Sequence, residues 1–180
     1  DRTIGIVRAS LGVRWFDCTV TGMEAHAGPT PMAMRRDALQ GATRLMQEVV
    51  AIADRHAPDG RGTVGMVQVF PNSRNVIPGS VKFSVDLRNS TDAGVDAMAE
   101  ELFAAAGRLE RDTGLAVALD QVSQYPAQPF HADCIDAVER AARRLGYSAM
   151  PAVSGAGHDA VYLARVAPTG MIFIPCRDGI

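Results

Sequence analysis

At 180 residues, 47% hydrophobic and 21% charged, the chain suits one ordinary domain, or one domain plus a piece of another, and is too apolar to stay disordered. Its 18 Lys+Arg against 20 Asp+Glu leave a net charge of −2, no electrostatic footprint for nucleic acid, and no apolar run approaches the roughly 20 residues of a membrane helix. Cys18, Cys134 and Cys176 are odd in number and far apart, with no CxxC, so neither a disulfide framework nor a zinc ribbon is indicated, and a reduced, cytoplasmic setting is expected.

The opening "DRTIGIV" reads as mid-strand and the closing "MIFIPCRDGI" follows a buried-looking strand, so both ends are expected to be cut from something longer. "VRWFDCTVTG" (13–22) predicts a strand with Phe16, Cys18 and Val20 on one face. A glycine-proline turn follows in "EAHAGPTPM" (24–32), where Thr30 is expected to cap a helix and Pro31 to take its first position. The apolar stripe Ala38, Leu39, Ala42, Leu45, Met46, Val49, Ile52, Ala53 carries that helix to about Arg55. "TVGMVQVF" (63–70) predicts a strand, "PNSRNVIPGS" (71–80) a long connection, and "VKFSVDLR" (81–88) a half-buried strand of strict alternation. "NSTD" supplies caps for a helix over 92–112, with Val95, Met98, Leu102, Ala105 and Leu109 inward and Gly114 closing it; "LAVALDQVS" (115–123) is a last strand. The order βαββαβ is the split pattern of an α+β, ferredoxin-like domain over 12–124, whose two helices cover one face of a four-stranded sheet and leave the other for solvent or a partner.

Beyond residue 125 the character changes. "HADCIDAVERAARRLG" predicts a helix with Ile135, Val138, Ala142 and Leu145 inward, "SGAGHDAVYLARV" a glycine loop feeding a short helix, and "MIFIP" (171–175) a strand covered on both faces. A tail of ~55 residues cannot cover such a strand alone. Residues 125–180 are therefore read as the C-terminal part of an α/β domain, with 1–11 its re-entry segment.

Four features are candidates for chemistry. His26 stands among Ala25, Ala27 and Gly28, which leave room for approach, and one turn before the expected helix start, whose partial positive charge depresses a nearby histidine's proton affinity; a neutral ring there could donate to a developing oxyanion. Its bland reading is a solvated loop residue. The connection 71–80 is longer than hairpin loops usually are and carries Asn72, Ser73, Arg74 and Asn75, whose amide both donates and accepts. Arg88 is either an exposed strand residue paired with Asp86 or a guanidinium fork for a carboxylate. "SGAGHDA" (154–160) fits GxGxxG/A through Gly155, Gly157 and Ala160, with Asp178 where a ribose-binding acid belongs, but a proline-broken strand precedes it and the following helix is short. A serine elbow fails because Ala152 stands where glycine is needed, which leaves a loop of backbone N–H groups facing a polar ligand. His26, His56, His131 and His158 show neither HExxH nor i,i+4 spacing.

Taken in order, "GMEAHAGPTPMAMRRDA", "FPNSRNVIPG", "FSVDLRN" and "SGAGHDA" resemble the amidase/hydantoinase/carbamoylase branch of the M20 peptidase-like metal hydrolases, a likeness that runs through nearly the whole chain. The resemblance implies a catalytic α/β domain with an inserted ferredoxin-like lid and dimerisation domain, acting on a C–N bond of a ureido or amide group on a small carboxylic acid. It implies that His26 reaches across a homodimer to polarise the scissile carbonyl as the catalytic lid histidine. By the same likeness Asn75 and Arg88 grip the substrate carboxylate, and Gly155 and Gly157 offer backbone contacts. It further implies two divalent metals, zinc or manganese, activating a bridging water beside a general-base glutamate. The ligands would lie before residue 1 except for a final histidine past Gly179-Ile180, so that this chain alone binds no metal and is inactive. A non-catalytic ferredoxin-like binding or dimerisation module is the rival reading, and a nucleotide site at Gly155–Ala160 a third.

Overall fold

The computed structural model describes residues 2–177. They fall into two units, one spanning Val13–Tyr125 and one joining the chain up to Gly12 with the chain from Pro126 on.

Strand β1 (Ile4–Ser10) belongs to the latter, and β2 (Gly12–Thr21) leads into the former. After β2 come the two-residue strand β3 (Ala25–His26), a single 3-10 turn over Met32–Met34 and helix α1 (Ala38–Arg55). The helix does not begin at Thr30-Pro31. Pro31 is extended, with ψ 148°, and the N-cap is Asp37, whose carboxylate accepts from the N–H groups of Leu39 and Gln40. Aspartate is among the best caps, and it stands directly before the apolar stripe; the dipole proposed to act on His26 has no helix end beside that residue.

Strands β4 (Arg61–Thr63) and β5 (Val67–Phe70) replace the single strand expected over 63–70. Both pair antiparallel with β7 (Ser80–Asn89), and the chain between them leaves the ladder at Val64–Met66. The connection before β7 contains β6 (Val76–Ile77), which pairs with β3. Helix α2 (Asp92–Thr113) is capped by the Thr91 hydroxyl and ended by Gly114 at φ 67°, the left-handed conformation glycine adopts without steric cost. Strand β8 (Ala116–Tyr125) closes the sheet, ordered β4-β7-β2-β8.

One face of this sheet makes the core. Phe16, Cys18 and Val20 of β2 and Val81, Phe83, Val85 and Leu87 of β7 pack with Leu45, Val49 and Ile52 of α1 and Met98 and Leu102 of α2, all essentially inaccessible. Burial pushes the Cys18 thiol up to about 12, so it is not a nucleophile at neutral pH. Arg14, also buried, donates to Asp96 at 2.9 Å and to the carbonyls of Val13 and Tyr125. On the outer surface Glu101 joins the helices, accepting from Arg55 at 2.7 Å and lying 2.8 Å from His56 Nε2. His56 first, then Arg55, hold its carboxyl below the usual carboxylate range. The sign follows: this contribution is present above the ordinary glutamate value and lost as pH falls through the lowered one.

In the other unit β1 runs parallel to β10 (Ala149–Ser154) in register from Ile4↔Ala149 to Ser10↔Ser154, and antiparallel to β9 (Gln128–Pro129) and β11 (Met171–Phe173). Helix α3 (Ala132–Arg144) packs on β1, and α4 (Asp159–Leu163) is a single turn and a half. One expectation changes here: Leu145 is not inward but forms the exposed C-cap of α3. Ile172 and Ile174 are exposed among the described residues, in line with the expectation that this tail alone cannot cover "MIFIP" on both faces.

Candidate functional site

The turn carrying His26 is held by hydrogen bonds that the sequence did not announce. The β3–β6 ladder sets His26 opposite Val76, and the Ala27 N–H donates to the Asn75 carbonyl at 2.8 Å. Two residues 49 apart in sequence are thereby neighbours. Arg35 clamps the turn from below, donating to the carbonyls of Ala27 at 2.6 Å and Thr30 at 3.1 Å, while the Thr30 hydroxyl donates to the His26 carbonyl at 2.7 Å. This role of Arg35 is a side-chain bond to the turn's carbonyls and left no signal in the sequence.

The imidazole is exposed, and its Nδ1 accepts the Gly28 N–H at 3.1 Å. That bond assigns the tautomer: in the neutral ring the proton sits on Nε2, which is thus a donor pointing away from the turn's own backbone. In the same connection the Ser73 hydroxyl donates to Asn75 Oδ1 at 3.2 Å, which engages the carbonyl half of the amide. Asn72, at φ 56°, makes the loop's left-handed corner, a conformation asparagine tolerates better than most residues.

Arg88 is elsewhere. It lies near the end of β7 remote from β6, on the open face of the sheet, with its Nε donating to Asp86 Oδ1 at 2.9 Å and Nη2 to Oδ2 at 2.5 Å. The pairing with Asp86, one of the two readings of this residue, is therefore present, and it raises the guanidinium pKa further. Eight residues at about 3.3 Å each put Arg88 roughly 26 Å along β7 from Ser80, where the strand leaves the His26–Asn75 corner. The structure brings His26 and Asn75 together and keeps Arg88 apart from both.

Gly155 and Gly157 lie in the other unit, in the loop at the carboxyl ends of the parallel strands β1 and β10, the end where open α/β sheets bind ligands. Two buried serines shape the loop: Ser10 Oγ donates to the Ala156 carbonyl at 3.0 Å, and Ser154 Oγ accepts the Ala156 N–H at 3.2 Å and lies 2.6 Å from His158 Nε2. Nothing lies within 4 Å of a Cβ built on Gly157, so this glycine leaves open space. The helix after the loop has five residues, too short for a dinucleotide motif, and Asp178 is outside the described residues, as are Gly179 and Ile180. Among the described residues no three His, Cys, Asp or Glu side chains converge to hold a metal ion, so these residues do not by themselves make the donor set of a divalent metal.

The chain matches the model of peptidase family M20/M25/M40 over residues 9–180, and it belongs to that family. It is similar to the N-carbamoyl-L-amino-acid amidohydrolase of Rhizobium meliloti, with 40% identity over all of this chain and 43% of that one. The allantoate amidohydrolase of Bacillus subtilis is 32% identical over 99% of this chain and 43% of its own length. Among solved structures, an amidase of the hydantoinase/carbamoylase family from Burkholderia multivorans superposes with a TM-score of 0.96 at 54% identity, over 99% of this chain and 44% of that one. The chain thus spans less than half the length of the relatives it matches.

Proposed function

We propose that the Val13–Tyr125 unit is the ferredoxin-like lid and dimerisation domain, and the remainder part of the catalytic α/β domain, of an amidohydrolase that cleaves the C–N bond of an N-carbamoyl or ureido group on a small carboxylic acid. The strand order β4-β7-β2-β8 with both helices on one face supports the lid assignment, and the names of the relatives support the bond class.

One observation carries the reading. His26, with its Nδ1 occupied and its Nε2 proton offered outward, shares a corner with the Asn75 amide, while Arg88 stands about 26 Å away along β7. A small ureido acid is far too short to bridge them within one lid. In a homodimer whose lids run antiparallel, His26 and Asn75 of one protomer meet the cleft that holds the partner's Arg88. There water adds to the ureido carbon, charge gathers on its oxygen, and the C–N bond breaks as the amine leaves protonated. His26 Nε2–H donates to that oxygen, with most of the benefit at the charged stage, and Asn75 adds a second donor. Arg88 fixes the carboxylate with a planar fork and so sets which atom faces His26.

The test is an assay of the whole protein, supplied with Zn²⁺ or Mn²⁺, against N-carbamoyl-L-amino acids, allantoate and a dipeptide of the same side chain. Hydrolysis of a ureido substrate at least about 100-fold faster than the dipeptide is expected. A preference for the dipeptide would refute the bond class, and carboxylate binding without any hydrolysis would replace the enzyme by a binding module.

A further inference from the structure

We infer that the open face of the sheet carries, beside Arg88, a pocket for the apolar side chain of an amino-acid derivative, leucine-like to phenylalanine-like in size; this rests on the reading of Arg88 as the carboxylate grip. A cavity of about 330 Å³ opens there, with Trp15, Thr63, Gly65, Ser84, Asp86 and Val122 in its wall.

Two separate departures from regular pairing make it. On one side of β7 the regular ladder is interrupted between β4 and β5: the Ser84 N–H still donates to the Met66 carbonyl at 3.1 Å, but the Met66 N–H goes to the Ser84 hydroxyl at 3.1 Å. On the far side the β2–β8 register slips at Trp15/Phe16, an irregularity that leaves Val122 without a partner on β2. Such bulges re-aim side chains, and here Val122 ends up in the cavity wall with Trp15. Trp15 is held edge-on by Tyr125 at 6.1 Å. Trp15 is 39% and Val122 56% exposed, large apolar groups on a face that β7 otherwise lines with Lys82, Ser84, Asp86 and Arg88.

The chemistry of the occupant follows from the rim. Asp17 is paired with Lys82 at 2.8 Å and Asp86 with Arg88, so neither aspartate calls for a cationic side chain, and both disfavour an acidic one. Asp86 lines the cavity and also holds Arg88, two residues on along the same face, about 7 Å away. A leucine or phenylalanine side chain extending from an acid group held on the guanidinium spans part of that spacing. An acid group on Arg88 therefore sets an apolar side chain against Trp15.

Trp15 is the single tryptophan of the chain, so its emission reports the cavity directly. The full chain is titrated with N-carbamoyl-L-leucine and with N-carbamoylglycine, with dissociation constants from calorimetry and Trp15 emission recorded alongside. The leucine derivative is expected to bind at least about tenfold more tightly and to shift the emission to the blue. Val122→Phe, which fills the cavity from an exposed position, brings the two constants together, and Arg88→Ala weakens both ligands. Equal binding without an emission shift, or a preference that survives Val122→Phe, overturns the pocket and leaves the carboxylate grip standing. If neither acid binds, or Arg88→Ala changes nothing, the reading of Arg88 fails and the pocket with it.

Discussion

His26→Ala is expected to lower kcat/KM on a ureido acid by about 10²–10³-fold, the usual cost of removing one oxyanion donor, and to leave the thermal midpoint unchanged. The second half follows from geometry. The ring is exposed and takes one hydrogen bond, from the Gly28 N–H, which water can replace. The corner itself is held by backbone pairing with Asn75 and by Arg35, neither of which needs the imidazole. Steady-state kinetics with a parallel melting curve check both parts, and the loss should fall on kcat more than on KM because the bond strengthens as charge develops. A fall in the melting midpoint as large as that of a core truncation would mean that the histidine is structural.

Phe83→Ala carries the largest expected effect on stability, about 3–5 kcal/mol. The ring is fully buried on β7, with β2 on one side and β4 and β5 on the other, in the cluster that both helices cover. Truncation removes its transfer energy and leaves a hole that a central strand, paired on both edges, cannot close. Urea unfolding followed by Trp15 emission reads this unit directly. A change below about 1 kcal/mol would show that the core relaxes in a way a close-packed interior does not.

Where local rules dominate, the fold was legible in the residues. Alternation from Val81 to Arg88 gave β7 almost to its ends, and the Thr91 cap with Gly114 bracketed α2 to within a residue. Misreadings arose where two local signals competed or where a contact was long-range. Thr30-Pro31 imitates a helix start, but Asp37 stands nearer the apolar stripe and wins the cap. The run 63–70 reads as one strand although Gly65, a residue that often marks a bulge, stands where it is interrupted, and the interruption is completed by the Ser84 side chain across the ladder, which no window on 63–70 contains. Leu145 falls on the apolar face of α3 by period, yet it sits at the C-cap and is exposed.

Of the candidate site, the residue types were readable and their arrangement was not. His26 and Asn75 meet through a two-residue ladder between segments too short to show a strand pattern, and the clamp from Arg35 is a side-chain bond to a carbonyl eight residues away. The separation of Arg88 from that corner was, by contrast, implicit in the strand itself: eight alternating residues are a rod about 26 Å long. On the proposed reading, that rod is the reason the two groups of one protomer would serve different substrates.

The most direct measurement is subunit complementation. His26→Ala and Arg88→Ala proteins are prepared separately, each nearly inactive, then mixed under conditions that exchange protomers. If His26 of one protomer serves the cleft holding the partner's Arg88, half of the dimers are mixed and each restores one of its two sites, so activity returns to about a quarter of the unmodified level. No recovery above the two separate variants, with exchange verified by mass, would place both groups in the same protomer's site and contradict the account.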